Sequence, residues 1–214
     1  MKRFDLFPTP IFVTKASMHN EIRKHIDDTI KPVYEKQGYN SPVCRVFSDY
    51  FDGAPTLDQK LFTDYYRQDF NNLFNNLGFD TSVSWMIRPY FWYNITGKGG
   101  WQEEHNHISG PMPIMFSAIH YVEFDKDEHK AVEFYNPHEQ ILRATAPTEN
   151  KDKLPPYYKE LATVPTFIEE GDLIIFPSYL RHAVNPQQSE KIRVSIAMNI
   201  GLYDRESLFY VNEN

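Results

Sequence analysis

The sequence predicts a mainly β protein: a jelly roll with a helical buttress, preceded by two amphipathic helices. Three observations carry that expectation. Helical periodicity is confined to the first half of the chain. From Thr81 onward the texture changes to short β-branched and aromatic runs broken by Pro, Gly, Asn and Asp. No repeat at a 20–50 residue period and no low-complexity tract is present, so solenoids and propellers drop out. At 214 residues the chain suits one domain, because at that size ~70% of the unfolded surface can be buried without staples. We read 1–214 as a single domain, with an N-terminal strand and buttressing helices over 1–80, the barrel core over 81–201 and a tail over 202–214.

The first helical stretch follows Ser17 as a candidate cap and carries Ile22, Ile26, Ile30 and Val33 before Gly38. The second follows Thr56 and places Leu57, Leu61, Phe62, Tyr65, Phe70, Leu73, Phe74 and Leu77 at three- and four-residue spacings until Gly78. Both read as covers for a sheet. The expected strands are 82–95, 101–108, 114–125, 131–135, 163–168, 172–177, 180–184 and 192–200. Between Arg143 and Thr163, charge, paired prolines and a lack of periodicity predict a long loop over one mouth of the barrel, as an inert insertion or a substrate lid.

Composition narrows the partners. With 22 Lys+Arg against 29 Asp+Glu the formal charge is −7, and no basic cluster offsets it, so nucleic acid is not expected. Hydrophobic residues at 41% and aromatics at 15% are too rich for disorder. A mean hydropathy of −0.55 and the lack of a ~20-residue apolar run argue against a membrane protein. The opening MKRFDLFPTPIF meets proline before a signal-peptide core could form. A cytoplasmic protein is expected, acting on a small-molecule or peptide substrate, with the oligomeric state open and a homodimer among the options. The single cysteine, Cys44, forbids an intrachain disulfide and reads as a small buried hydrophobe.

Two of the eight histidines fall as His105-Asn106-His107. On a strand, residues i and i+2 share a face about 6.6 Å apart, so two imidazoles can converge on one metal at ~2.1 Å each. Such a pair is expected about 0.3 times by chance at this composition, so alone it is weak. A third histidine, His182, follows the strand 172–177 and the Pro177-Ser178 turn. A pair on an early strand plus a single ligand on a late one is a way to build a facial metal site with open positions. Eleven residues on stand Arg193 and, on the same strand face, Ser195. Apolar Ile192, Val194 and Ile196 mark the opposite face as core. An arginine fork with a hydroxyl suits a small carboxylate.

These residues resemble a known family. His105-x-His107, the strand SAIHYVEF, Asn136-Pro137, the block GDLIIFPSYLxHis182, and IleArg193ValSer195IlexxAsn199 look like the 2-oxoglutarate- and Fe(II)-dependent oxygenases of the double-stranded β-helix type. The opening FDLFPTPIF is also similar to the start of that group. The resemblance implies Fe(II) in the barrel held by His105 and His182, and 2-oxoglutarate whose far carboxylate pairs with Arg193 and Ser195. It implies a dioxygenase that hydroxylates a substrate with release of succinate and CO₂. The superfamily pattern is His-x-Asp/Glu, so His107 is a departure. Three neutral imidazoles would leave the metal its full charge, with Glu103 or Glu104 able to add negative charge from outside.

Other positions receive paired readings. Tyr121 could hydrogen-bond the cosubstrate or pack in the barrel wall. The polar face Arg88, Tyr90, Trp92, Asn94 suggests that Asn94 points into the cavity. Trp101 reads as substrate wall or packing. His19, His25, His129 and His138 read as solvated, and His120 as facing away from Tyr121. Two rival functions stay open. Gly99 and Gly171 stand six residues before His105 and Pro177, as cupin motifs begin, which favours a three-His cupin-type metalloenzyme. The cupin glutamate after HxH is missing, with Pro111 and Met112 in its place. The other rival is a non-catalytic barrel binding module.

Overall fold

The computed structural model describes residues 9–80, 85–108, 114–139 and 161–204. Most of the opening FDLFPTPIF, the start of the 82–95 strand, the Pro111–Pro113 segment and the expected loop up to residue 160 lie outside these.

In chain order the described elements are β1 (Phe12–Lys15), α1 (His19–Thr29), α2 (Lys31–Gln37), β2 (Val46–Ser48), α3 (Gln59–Asn76), β3 (Trp85–Thr96), β4 (Gln102–His105), β5 (Phe116–Glu123), β6 (Val132–Tyr135), β7 (Ala162–Thr163), β8 (Asp172–Pro177), β9 (His182–Val184) and β10 (Arg193–Asp204). Helices sit on one side of the expected mostly-β architecture. The first helical stretch is split. Pro32 lacks an N–H and stands in the first turn of α2, so the ladder breaks at Ile30 and restarts. Ser17 does not cap α1; its N–H and hydroxyl both donate to the buried Asp69 carboxylate on α3, at 3.1–3.3 Å. Asp58, rather than Thr56, caps α3, accepting from the N–H groups of Lys60 and Leu61.

Two antiparallel sheets make the jelly roll. One has the order β1-β8-β5-β10-β3-β2 and the other β4-β9-β6-β7. Expected strands 163–168 and 180–184 are shorter than predicted, at two and three residues, whereas β10 extends past 200 to Asp204. Strand alternation sorts the large sheet into two faces. Val194, Ile196, Met198 and Ile200 of β10, with Phe91, Tyr93 and Ile95 of β3, pack in one core with Phe62, Tyr66, Phe70 and Phe74 of α3. The opposite face, Arg193, Ser195, Ala197 and Asn199 with Trp92, Asn94 and Thr96, looks between the sheets. There the space is only partly filled. A second cluster, including Ile174, Phe176, Ile119, Tyr121 and Phe134, closes one end, and a cavity of about 410 Å³ occupies the other.

Glycine matters at the connection that leads into β4. A side chain at Gly100 would meet the Arg45 carbonyl oxygen at 2.6 Å, so the β3–β4 loop can press on the β2 edge only with hydrogen there. That loop sets where β4 begins and thereby where His105 stands.

Candidate metal centre and anion pocket

His105 ends β4 and His182 begins β9, and the two are register partners in the small sheet. His107 lies two residues beyond β4, held by its main-chain N–H donating to the Ser178 carbonyl at 2.9 Å. The Pro177-Ser178 turn that precedes His182 therefore also fixes His107. One ligand atom from each ring lies within 4.8 Å of the others, and the Nε2 atoms of His107 and His182 are 3.4 Å apart. That separation suits two ligands on one ion at ~2.1 Å each.

Hydrogen bonds define which nitrogens are free. Nδ1 of His105 lies 2.7 Å from the Glu103 carbonyl oxygen and Nδ1 of His182 lies 2.9 Å from that of Leu180. A carbonyl only accepts, so both Nδ1 atoms carry hydrogen and donate, leaving each Nε2 with a lone pair facing the shared point. Protonation is disfavoured there as well. Burial, and then the charge of His105, push His107 down to about 4; burial, then His105, push His182 down to about 3. At neutral pH His107 and His182 are neutral donors, and the three-histidine set suits a divalent cation of the borderline class.

The carboxylates near the pair do not join it. Glu104 pairs with Arg181, which also pairs with Glu139, and the carboxylate of Glu103 has no ion-pair partner among the described residues. His107 stacks on His182 with ring planes 17° apart, so it points inward, into the place where the sequence pattern leads one to look for a carboxylate.

Across the same cavity stands Arg193 at the start of β10, 2% exposed. Its Nη1 donates to the Ser195 hydroxyl at 3.0 Å and its guanidinium lies 5.1 Å from the centroid of the Tyr121 ring. Its Nε has no hydrogen-bond partner, and it is the only buried side-chain polar atom so placed among the described residues. Burial lowers its pKa without a carboxylate to oppose that. A buried guanidinium with an open donor costs free energy unless an anion meets it, so this end of the cavity fits a carboxylate from outside the chain.

The structure brings His105, His107, His182, Arg193, Ser195 and Asn94 to one cavity. Asn94 is cross-strand partner to Ser195. Tyr121 stands apart from it: buried behind Arg193, it accepts at its hydroxyl from the Val132 N–H at 3.1 Å. Trp101 lines the mouth. The reading of the remaining histidines changes in part. His129 is buried, its Nδ1 accepting from the Asp125 N–H and its Nε2 donating to the Lys191 carbonyl. His19 is half-buried and bonded to His120. Cys44 is half-buried and lines the cavity, as do Val43, Tyr50 and Phe51 of the same stretch; hydropathy gave no signal for these, since they lie in loops without periodicity.

Fold and site together define a metal-binding jelly roll with an anion pocket beside the metal. The family described as "Putative 2OG-Fe(II) oxygenase" matches residues 90–199, just over half of the chain, and the chain belongs to that family. No curated protein matches. Among solved structures, the chain is similar to a prolyl-4-hydroxylase of Pseudomonas putida at 14% identity, covering 90% of this chain and 92% of that one, with a TM-score of 0.52. It is similar to HygX from Streptomyces hygroscopicus, solved with nickel and 2-oxoglutarate bound, at 10% identity over 90% and 83% of the chains and a TM-score of 0.55. A third is SnoK, a non-heme alpha ketoglutarate dependent carbocyclase from nogalamycin biosynthesis, at 10% identity over 90% and 79% with a TM-score of 0.57. At these identities the likeness speaks for the fold. No helix of the described residues is long and apolar enough to cross a membrane.

Proposed function

We propose that the chain is a 2-oxoglutarate- and Fe(II)-dependent dioxygenase that hydroxylates a small molecule or an amino-acid or peptide substrate, releasing succinate and CO₂. In this reading His105, His107 and His182 hold the iron, and Arg193 with Ser195 holds the distal carboxylate of 2-oxoglutarate. Asn94 lies beside that carboxylate, and Tyr121 acts from behind by fixing the guanidinium plane. The observation that carries the reading is the buried Arg193 with its unpartnered Nε, in one cavity with the three-histidine cluster.

Bound iron would supply the redox chemistry that couples oxidation of the cosubstrate to oxidation of the substrate. The chain's own contribution is orientation and dryness. The Nδ1–H bonds to the Glu103 and Leu180 carbonyls fix two rings, and the Ser178 carbonyl fixes the third residue's backbone. Arg193 neutralises one end of a dianion in a water-poor end of the barrel, where a charge-assisted pair is strongest. A single domain and a cytoplasmic location, with the lone Cys44 kept reduced, complete the proposal.

Turnover with Fe(II), ascorbate and 2-oxoglutarate tests it, with succinate as the expected product. Arg193→Ala removes a charge-assisted interaction of ~1.5–3 kcal/mol, so the Kd for 2-oxoglutarate should rise about ten- to hundredfold in anaerobic calorimetry. Unchanged affinity would remove the main support. A second reading, a three-His cupin-type metalloenzyme, draws on His107 standing where a carboxylate is usual; it requires O₂ uptake without succinate. Neither product nor uptake would leave a binding module.

A further inference from the structure

We infer that the outer half of the cavity takes a cationic group of the substrate, an ammonium or guanidinium, between the rings of Trp92, Tyr50 and Tyr90 with the Glu103 carboxylate as counter-charge. This inference rests on the oxygenase reading for the inner half and names the substrate chemistry for the rest.

Three observations point the same way. First, exposed aromatics are concentrated here: Tyr50 is 66% exposed and Tyr90 54%, yet both line the cavity rather than lying scattered. Their ring centroids each lie 6.0 Å from that of the buried Trp92, whose own centroid is 6.0 Å from that of His107. A continuous aromatic wall thus runs from the surface to the metal cluster. A small cation lying against it can come within ~6 Å of two ring faces at once, the range in which the ring quadrupole attracts positive charge.

Second, the charge balance of the lining is one-sided. Among the described residues that line the cavity, the charged side chains are Arg193 and Glu103. Arg193 lies at the deep end and is neutralised by the cosubstrate. Among the described lining residues one carboxylate then remains for the substrate, and no further cationic side chain. Third, Glu103 has no salt-bridge partner among the described residues, although its sequence neighbour Glu104 is paired to Arg181. It stands on β4 two residues before His105 and lines the same cavity as the three rings. An unpaired carboxylate in one cavity with three aromatic rings is the recognition set for an organic cation; a neutral ring substrate would use the rings and have no use for Glu103.

The protein loaded anaerobically with Fe(II) and 2-oxoglutarate provides the test, with tryptophan fluorescence following titration by n-butylammonium, n-butanol and n-butyrate. The ammonium should bind at least about tenfold more tightly than the alcohol, and the butyrate should not bind. Glu103→Gln, an exposed and nearly isosteric change that keeps the carbonyl under His105, should weaken the ammonium about three- to tenfold and leave the alcohol unchanged. Tyr50→Leu should weaken it several-fold where Tyr50→Phe does not. Equal binding of ammonium and alcohol, or indifference to Glu103→Gln, overturns the inference. Calorimetric 2-oxoglutarate binding on the same sample separates the two levels. If the cosubstrate binds and the ammonium shows no preference, the cation subsite alone fails. If the cosubstrate does not bind, the oxygenase reading fails, and the same titration without it still decides the subsite. Free lysine against a blocked lysine-containing peptide then tells whether the cation arrives on a small molecule or on a polypeptide.

Discussion

Two groups of histidines lie on opposite sides of the six-stranded sheet, and in each burial lowers the basicity of the rings it encloses, His107 and His182 in one and His120 and His19 in the other. On the inner side His105, His107 and His182 bring one ring nitrogen each to within 4.8 Å of the others, and the Gln102 amide, 3.4 Å from the His105 Nε2, is the one further side-chain group hydrogen-bonded to those Nε2 atoms among the described residues. On the outer face His120 of β5 is fully buried against the helices, its Nδ1 2.6 Å from the Tyr66 hydroxyl and its Nε2 3.0 Å from Nδ1 of His19. His19 in turn faces Glu170 at 3.9 Å. In the second group every ring nitrogen of His120 already has a protein partner, so the same residue type serves as a polar link between α1, α3 and the sheet. Free lone pairs directed at a common point separate a ligand set from a structural network; burial and depressed basicity are shared by both and separate nothing.

The sharpest break of that comparison is metal content. His182→Ala should lose essentially all bound iron, whereas His120→Ala should retain one iron per folded chain, as measured by metal analysis after desalting. Equal iron in wild type and His182→Ala would place the metal elsewhere. His107 gives a finer contrast. If its Nε2 ligates, His107→Ala should lose most of the iron, while His107→Asp, which restores a two-His-one-carboxylate set, should keep iron and some 2-oxoglutarate decarboxylation. An iron-replete alanine variant with normal succinate formation would remove His107 from the ligand set.

The inner group was largely legible in the sequence because its logic is local. The i,i+2 histidines, a third histidine after a Pro-Ser turn, and Arg-x-Ser against alternating Val194 and Ile196 are all visible without knowing what packs on what; the expected strand 101–108 ends at His105, however, so the Ser178 carbonyl rather than strand alternation holds His107 in place. The outer group was not. His19 and His120 are 101 residues apart, and Ser17 and Asp69 are 52 apart. Ser17 looks like a helix cap to any local rule, yet a buried carboxylate on another helix outcompetes the α1 terminus for its donors. The same holds for the cavity mouth. Tyr50 and Cys44 sit in a stretch without periodicity, and only the pairing of β2 with β3 carries them to the site. The split between α1 and α2, by contrast, was readable at Pro32 and was hidden by the continuous Ile22, Ile26, Ile30, Val33 spacing.

Stability tests the outer group where metal content cannot. His120→Ala leaves the Tyr66 hydroxyl buried without its partner and opens a void under α1, so unfolding free energy should fall by ~2–4 kcal/mol in urea melts, with the 2-oxoglutarate affinity of the folded fraction unchanged.

A smaller effect is the dependence on pH. His120 is pushed down to about 3 by burial and then by His19, and His19 is itself lowered, chiefly by burial. The groups facing the pair are Tyr66, Glu170, Arg23, Lys15 and, across from Tyr66, Asp69. Between pH 6.5 and about 3 the unfolded chain holds a proton on His120 that the folded chain does not, so stability is fully present above pH 6.5 and declines as the pH falls through that window. The slope attributable to one such histidine approaches ~1.4 kcal/mol per pH unit. His107 and His182 are depressed by burial too and add to the wild-type slope, so the quantity to measure is the difference between wild type and His120→Gln. Glutamine can still bond Tyr66 and does not titrate. Its unfolding free energy should change less steeply between pH 6.5 and pH 4.5, with the two curves drawing together toward acid. Parallel curves would mean that His120 keeps a normal proton affinity in the folded chain, and the outer group would then be a solvated pair rather than the dry counterpart of the metal cluster.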